Sequence, residues 1–177
     1  DLVYEVSDFD REKKTVTLRG KGSVRNGKSE SIVEIVKKYS FNKNRLLADY
    51  TIENEGEWDM QTVFGSEINL SFAAKGMESH RVYNTSKQKT FELGIDLTTV
   101  RDVKEIAIDD VTNNVSIKME SDNPSELWIL PLETTSLGEV GIETIYQATC
   151  FLPRWEVKLA PGETWKNSIS LVFSNMS

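Results

Sequence analysis

The chain has 177 residues and a mass of 20.1 kDa, enough for one sizeable domain at about 100–200 residues per domain. Its 38% hydrophobic and 28% charged residues are spread too evenly for disorder, and no apolar run approaches the roughly 18–20 residues of a membrane span. A formal net charge of −7 argues against a nucleic-acid partner, which requires a clustered basic surface.

One Cys and one His exclude an internal disulfide and a Cys/His zinc cluster. Val, Ile and Thr together number 41 against six Ala, a balance that favours pleated strands over helix. The chain opens on Asp1, so it is expected to be a piece of a longer protein or one that has lost a leader.

In chain order, strands are expected at Val3–Val6 and Thr15–Arg19, with a turn at Arg25-Asn26-Gly27-Lys28. Residues Ile32, Val33, Ile35, Val36 and Tyr39 fit helical spacing as well as strand spacing, and their β-branched content decides for strand. Alternation at Leu46-Ala48-Tyr50-Ile52 ends at the turn Asn54-Glu55-Gly56. From Phe64 to Phe72 apolar and polar residues alternate over nine positions, with Glu67 and Asn69 on the polar side.

Further strands are expected at Val103–Ile108, Val115–Met119, Glu126–Leu132, Glu143–Leu152, Glu156–Lys158 and Ile169–Phe173. Turn chemistry separates them at Asp109 to Asn114, Ser121 to Ser125 and Ala160-Pro161-Gly162. Many short strands with turns every 8–15 residues or so describe an antiparallel sandwich or barrel.

Few side chains suggest chemistry. His80, in Glu78-Ser79-His80-Arg81, has no nucleophile or second ligand beside it and reads as an ordinary surface or edge histidine. Cys150 falls inside an expected strand and reads as a small buried hydrophobe. The ten Gly are scattered and form no phosphate loop.

Glu133, Glu139 and Glu143 cluster, but 28 acids in 177 residues give such clusters by chance, so they read as a solvated face. Asp109-Asp110 and Asn113-Asn114 lack the spacing of a calcium loop and read as a turn, so no metal site is expected. Of the four Trp, Trp128 and Trp155 sit in apolar strings and read as packing residues. Trp58, between Glu57 and Asp59, reads as an exposed platform on which a sugar ring could stack.

An ordered series of strings carries a family resemblance. They are Tyr39-Ser40-Phe41, Leu46 to Asn54, Phe64-Gly65-Ser66-Glu67-Ile68-Asn69-Leu70-Ser71, Trp128 to Thr134, Glu143-Thr144-Ile145-Tyr146-Gln147 and Trp155 to Glu163. From about Val3 to Phe173 the chain resembles the C-terminal domain of the α-amylase/4-α-glucanotransferase group of glycoside hydrolase family 57.

The resemblance implies an all-β fold, a two-sheet antiparallel supersandwich of the galactose mutarotase-like kind. It places the catalytic nucleophile and acid on a (β/α)7 barrel preceding this domain, so no catalytic residue and no cofactor is carried over here. Residues 1–177 are then a single accessory domain whose partner is the catalytic barrel of the same parent chain. Any contact with α-glucan is expected to be weak, with Trp58, Glu67 and Asn69 as candidates.

A free-standing carbohydrate-binding module is the alternative reading. An aldose-epimerase-like enzyme is less well supported, because epimerisation needs an acid and a base at one ring oxygen and the chain offers one turn-located His. Neither a nucleic acid nor a membrane is expected as a partner.

Overall fold

The computed structural model describes residues 3–85, 87–93, 97–138 and 141–176. Among the described residues there are eleven strands and no helix. The strands are β1 Val3–Asp10, β2 Thr15–Asn26, β3 Ser29–Asn42, β4 Arg45–Asn54, β5 Met60–Gly65, β6 Ile68–Leu70, β7 His80–Asn84, β8 Thr98–Asp110, β9 Val115–Gly138, β10 Gly141–Leu159 and β11 Thr164–Asn175. The strand reading of Ile32–Tyr39 is correct, since all of it lies in β3.

The chain forms two compact units. The first gathers the residues up to Phe64 with Glu120–Asn123 and Trp155–Val172; the second gathers Gly65–Met119, Pro124–Arg154 and the residues from Phe173 on.

In the first unit β1, β2, β3 and β4 form an antiparallel meander, and β11 pairs with the far side of β4. Gly27 turns β2 into β3 with φ of 63°, a backbone conformation that glycine adopts without Cβ strain. Directly paired residues share a face of a sheet, so Ile35, Ile52 and Trp165 line up on one side. That side packs into a core of Val33, Ile52, Met60, Val157 and Leu159. The opposite side carries charge, with Arg19 bonded to Glu34 at 2.7 Å and Lys21 to Glu55 at 2.7 Å.

Phe64 joins Tyr50 and Trp165 edge to face, with ring centroids 5.1 and 5.6 Å apart, and lies over Trp155 at 6.2 Å. Trp155 is buried and donates from Nε1 to the Asn123 carbonyl at 3.2 Å, so its expected packing role holds.

The second unit is built on the β9–β10 hairpin, whose register runs from Gly138 opposite Gly141 to Glu126 opposite Arg154. A bulge between Tyr146 and Ala148 inserts Gln147 as an extra residue. Strand β6 pairs with β10, and β7 with β8. Phe151, Ile106, Ile108, Val82 and Leu127 are fully buried. Trp128 is half-buried, donating to Glu126 at 2.8 Å while the Arg154 guanidinium covers its ring at 3.7 Å.

Three sequence expectations need correction. Ser121–Ser125 is no turn but the middle of β9, because its polar groups find strand partners. Asn123 N–H donates to the Asn167 side-chain oxygen at 3.0 Å, and Asn123 Nδ2 to the Lys166 carbonyl at 3.2 Å. Likewise Glu143–Leu152 and Glu156–Lys158 are one strand, β10, running through Pro153, whose carbonyl accepts the Ser66 N–H at 3.1 Å.

The nine-residue alternation from Phe64 to Phe72 keeps its pattern of burial, yet it is split into β5 and β6 by Ser66 and Glu67. Gly65 stands at that break, where a Cβ would lie 3.2 Å from a Leu152 methyl carbon.

Candidate functional site

Trp58 follows the turn that closes β4, and the turn is held by Asn54. The Asn54 side chain is fully buried. Its Nδ2 donates to the Trp58 carbonyl at 2.8 Å and to the Leu159 carbonyl at 3.0 Å, and its Oδ1 accepts from Gly56 N–H at 3.1 Å. Both amide hydrogens and the oxygen are thereby used.

The Asn54 backbone is bonded as well, donating to the Glu163 carbonyl at 3.0 Å and accepting from Gly162 N–H at 2.8 Å. Ser31 Oγ adds a second donor to the Trp58 carbonyl at 2.7 Å, and Glu55 N–H reaches the Ile32 carbonyl at 2.9 Å. Gly56 runs so close to β3 that a Cβ there would lie 2.7 Å from Ser31 Cα.

The result is a backbone with little freedom and a side chain with much exposure: Trp58 is 57% exposed. The sequence reading of Trp58 as an exposed loop residue is correct. At the next residue begins a groove of about 350 Å³ lined by Asn26, Asp59, Gln61, Lys158 and Glu163 over an apolar floor of Met60 and Leu159. The amide, carboxylate and ammonium groups of the groove are donors and acceptors of the kind sugar hydroxyls require, and the exposed Trp58 indole is a flat face of the kind a sugar ring stacks on.

Glu67 and Asn69 belong to the second unit, whereas Trp58 belongs to the first. Asn69 Nδ2 donates to Glu67 Oε1 at 2.7 Å, so the two exposed side chains engage each other. Asn69 lies opposite Cys150 in the β6–β10 ladder. Burial, with the Glu67 charge adding to it, pushes the buried Cys150 thiol up to about 11. It is a protonated, inert hydrophobe at neutral pH, as its sequence position suggested.

His80 is not a surface residue. It is 1% exposed, its ring stacks on Phe72 with centroids 4.0 Å apart and planes within 6°, and Nε2 shares a 3.0 Å hydrogen bond with Thr149 Oγ1. Thr149 continues to the Tyr146 hydroxyl at 2.8 Å. His80 Nδ1 is buried without a well-formed bond. Burial lowers the His80 pKa, opposed by the Ala74 backbone and the Asp110 charge. Burial disfavours the charged form, and a flat imidazole suits the aromatic stack on Phe72.

The acidic cluster gives no catalytic pair. Glu133 is bonded to Lys75 at 2.9 Å, and strand alternation puts Glu143 on the other face of the hairpin from Glu133. Glu139 lies outside the described residues. Asp109 and Asp110 are buried and occupied: Asp109 holds Lys87 at 3.0 Å and Ser116 at 2.7 Å, while Asp110 accepts from Asn113 N–H at 3.0 Å. The turn the sequence indicated is there at 111–114, with Asp110 capping it, but Asp109 and Asp110 themselves belong to β8, opposite Arg81 and His80. Among the described residues no three His, Cys, Asp or Glu side chains are grouped to hold a metal.

Two features escaped the sequence reading. Asn54 was visible as a turn residue, but its partners Leu159, Gly162 and Glu163 are about a hundred residues away. The His80–Thr149–Tyr146 chain likewise joins residues with no common motif.

Comparison with known proteins gives the family and the fold. Residues 2–169 match the family described as alpha-amylase/4-alpha-glucanotransferase, C-terminal. Alpha-amylase 1 of Dictyoglomus thermophilum is 30% identical over 141 residues, covering 77% of this chain and 19% of the relative. The 4-alpha-glucanotransferase structure from Thermococcus litoralis superposes with a TM-score of 0.69 at 18% identity, over 98% of this chain and 22% of that one.

A putative aldose 1-epimerase from Escherichia coli K12 gives a TM-score of 0.69 at 12% identity, over 98% of this chain and 69% of that one. A galactose mutarotase related enzyme from Lactobacillus acidophilus gives 0.70 at 11%, over 98% and 72%. The fold is all-β and galactose mutarotase-like. The chain spans about a fifth of the length of the amylase and glucanotransferase relatives it matches.

Proposed function

The chain belongs to the alpha-amylase/4-alpha-glucanotransferase C-terminal family, and from that premise we propose that it is a non-catalytic accessory domain of a glucan-processing enzyme. It packs on a catalytic (β/α)7 barrel that precedes it in the same polypeptide, and it offers Trp58 as a weak α-glucan contact beside the substrate cleft. The observation that carries the glucan contact is an indole 57% exposed on a loop whose carbonyl is held by both Asn54 and Ser31. Preorganisation of this kind lowers the entropy lost when a ring stacks.

The reaction itself is assigned to the barrel. An epimerase reading has less support, because His80 is buried against Phe72 and Thr149, where it does not meet a sugar ring oxygen. The Glu67–Asn69 pair is the second candidate contact, and its mutual hydrogen bond would have to open before either residue met a hydroxyl.

Titration of maltoheptaose into the isolated chain, followed by amide chemical shifts, tests the proposal. One aromatic stack contributes on the order of 1–3 kcal/mol, which supports binding no tighter than roughly millimolar. Shifts are expected around Trp58 to Gln61, and Trp58→Ala should remove them. Equal responses in both proteins would discard Trp58. Micromolar binding would instead make the chain a free-standing carbohydrate-binding module. Turnover of amylose by the repurified chain, abolished by one Glu substitution, would overturn the non-catalytic reading.

A further inference from the structure

The outer part of the β9–β10 hairpin is an arm left uncovered by the other described residues. Residues 133–137 and 141–145 are exposed on both faces of the two-stranded ribbon. Leu137 and Ile142 face each other across the ladder and are 86% and 79% exposed. Ile145, on the reverse side, is 48% exposed. At about 3.3 Å per residue, the arm from Glu133 to Gly138 is on the order of 20 Å long.

A two-stranded ribbon is marginally stable alone in water, and a pair of almost fully exposed large aliphatics marks a contact surface. The base of the arm is secured by the Lys75–Glu133 ion pair and the Gln147–Thr134 hydrogen bond, so the ribbon is presented, not merely frayed.

Charge and chain length select the occupant. The whole chain carries −7, which disfavours a second copy or an anionic lipid surface as the occupant, and Glu143 lies with Ile145 on the reverse face of the ribbon. About four-fifths of the amylase and glucanotransferase relatives lies outside the part that this chain matches. We propose that the arm docks, through Leu137 and Ile142, onto an apolar surface of the catalytic portion of the same polypeptide. The inference rests on the accessory-domain reading and names the element that makes the contact.

Hydrogen exchange decides it. The full-length polypeptide and the 177-residue chain are compared as wild type, as Leu137→Ser/Ile142→Thr and as the conservative Leu137→Met/Ile142→Val. Amides in 133–137 and 142–146 are expected to exchange at least tenfold more slowly in the full-length wild type than in the isolated chain. The Ser/Thr variant should lose that protection and the Met/Val variant keep it, while exchange in the isolated chain is fast in all three.

Equal exchange of the arm in both lengths overturns the docking. If other amides of the domain are then protected in the full-length protein, the accessory reading stands without the arm; if none is, both fall. A concentration-dependent dimer of the isolated chain that the Ser/Thr variant abolishes would overturn the proposal in favour of a second copy. A natural polypeptide no longer than this chain would overturn both readings.

Discussion

Replacing Asn54 by Ala should be among the most damaging polar substitutions in the first unit. Three side-chain hydrogen bonds vanish together, to the Trp58 and Leu159 carbonyls and from the Gly56 N–H. Each is worth about 0.5–1.5 kcal/mol net, and a buried group left unpaired adds about 1–3 kcal/mol. The Trp58 carbonyl keeps Ser31, and the backbone bonds to Gly162 and Glu163 survive, so the uncompensated groups are the Gly56 N–H and the Leu159 carbonyl. The low ends of these ranges already sum to about 3.5 kcal/mol, and because water reaches the half-buried Gly56 N–H the loss should stay near that end, at about 3–5 kcal/mol, a large fraction of the roughly 5–15 kcal/mol that holds a typical domain together. With a urea m-value of about 2 kcal/mol/M, the midpoint should fall by about 1.5–2.5 M. Ser31→Ala, which removes one of two donors to the same carbonyl, should lose only about 1 kcal/mol. A loss below about 1 kcal/mol for Asn54→Ala, with m unchanged, would refute the assignment of Asn54 as the residue that fixes the Trp58 loop.

Trp155→Ala should destabilise by about 3–5 kcal/mol, because the ring is buried between Phe64 and Trp165, whereas exposed Trp58→Ala should stay within about 0.5 kcal/mol; urea midpoints of the two variants check this. His80 has a folded pKa lowered by burial, so the unfolded chain takes up its proton first, and its contribution to stability is full above about pH 6.5 and lost as pH falls toward the folded pKa. Wild type should therefore lose more stability than His80→Gln between pH 7 and pH 5, and parallel curves would refute this. The Cys150 thiol, raised to about 11 by burial, should react with a thiol reagent at pH 8 at least about a hundredfold more slowly in the native chain than in denaturant; comparable rates would contradict its burial.

Much of the fold was legible because local chemistry and tertiary structure agree. The β-branched run Ile32 to Tyr39 became β3, and the period-two pattern from Leu46 to Ile52 became the inward and outward faces of β4. What was not legible depended on distant partners. Ser121 to Ser125 has turn composition, yet Asn167 and Lys166 supply the hydrogen bonds that keep it in β9. His80 has a polar sequence neighbourhood, and only Phe72 and Thr149, brought together by folding, explain its burial. The candidate site divides the same way: the exposure of Trp58 follows from its polar neighbours, while its rigidity is supplied by an asparagine whose own partners lie at the other end of the chain.

That last connection bears on the order in which the molecule is made. Strands β1 to β4 pair in sequence, so each can add to the one before as synthesis proceeds. Asn54 cannot complete its bonds until Leu159, Gly162 and Glu163 arrive, 105 positions later in the case of Leu159. Closing so long a loop is slow and comes late. The Asn54 brace of the Trp58 loop is thus complete only after Leu159, Gly162 and Glu163 have been added, well after the four strands of the meander.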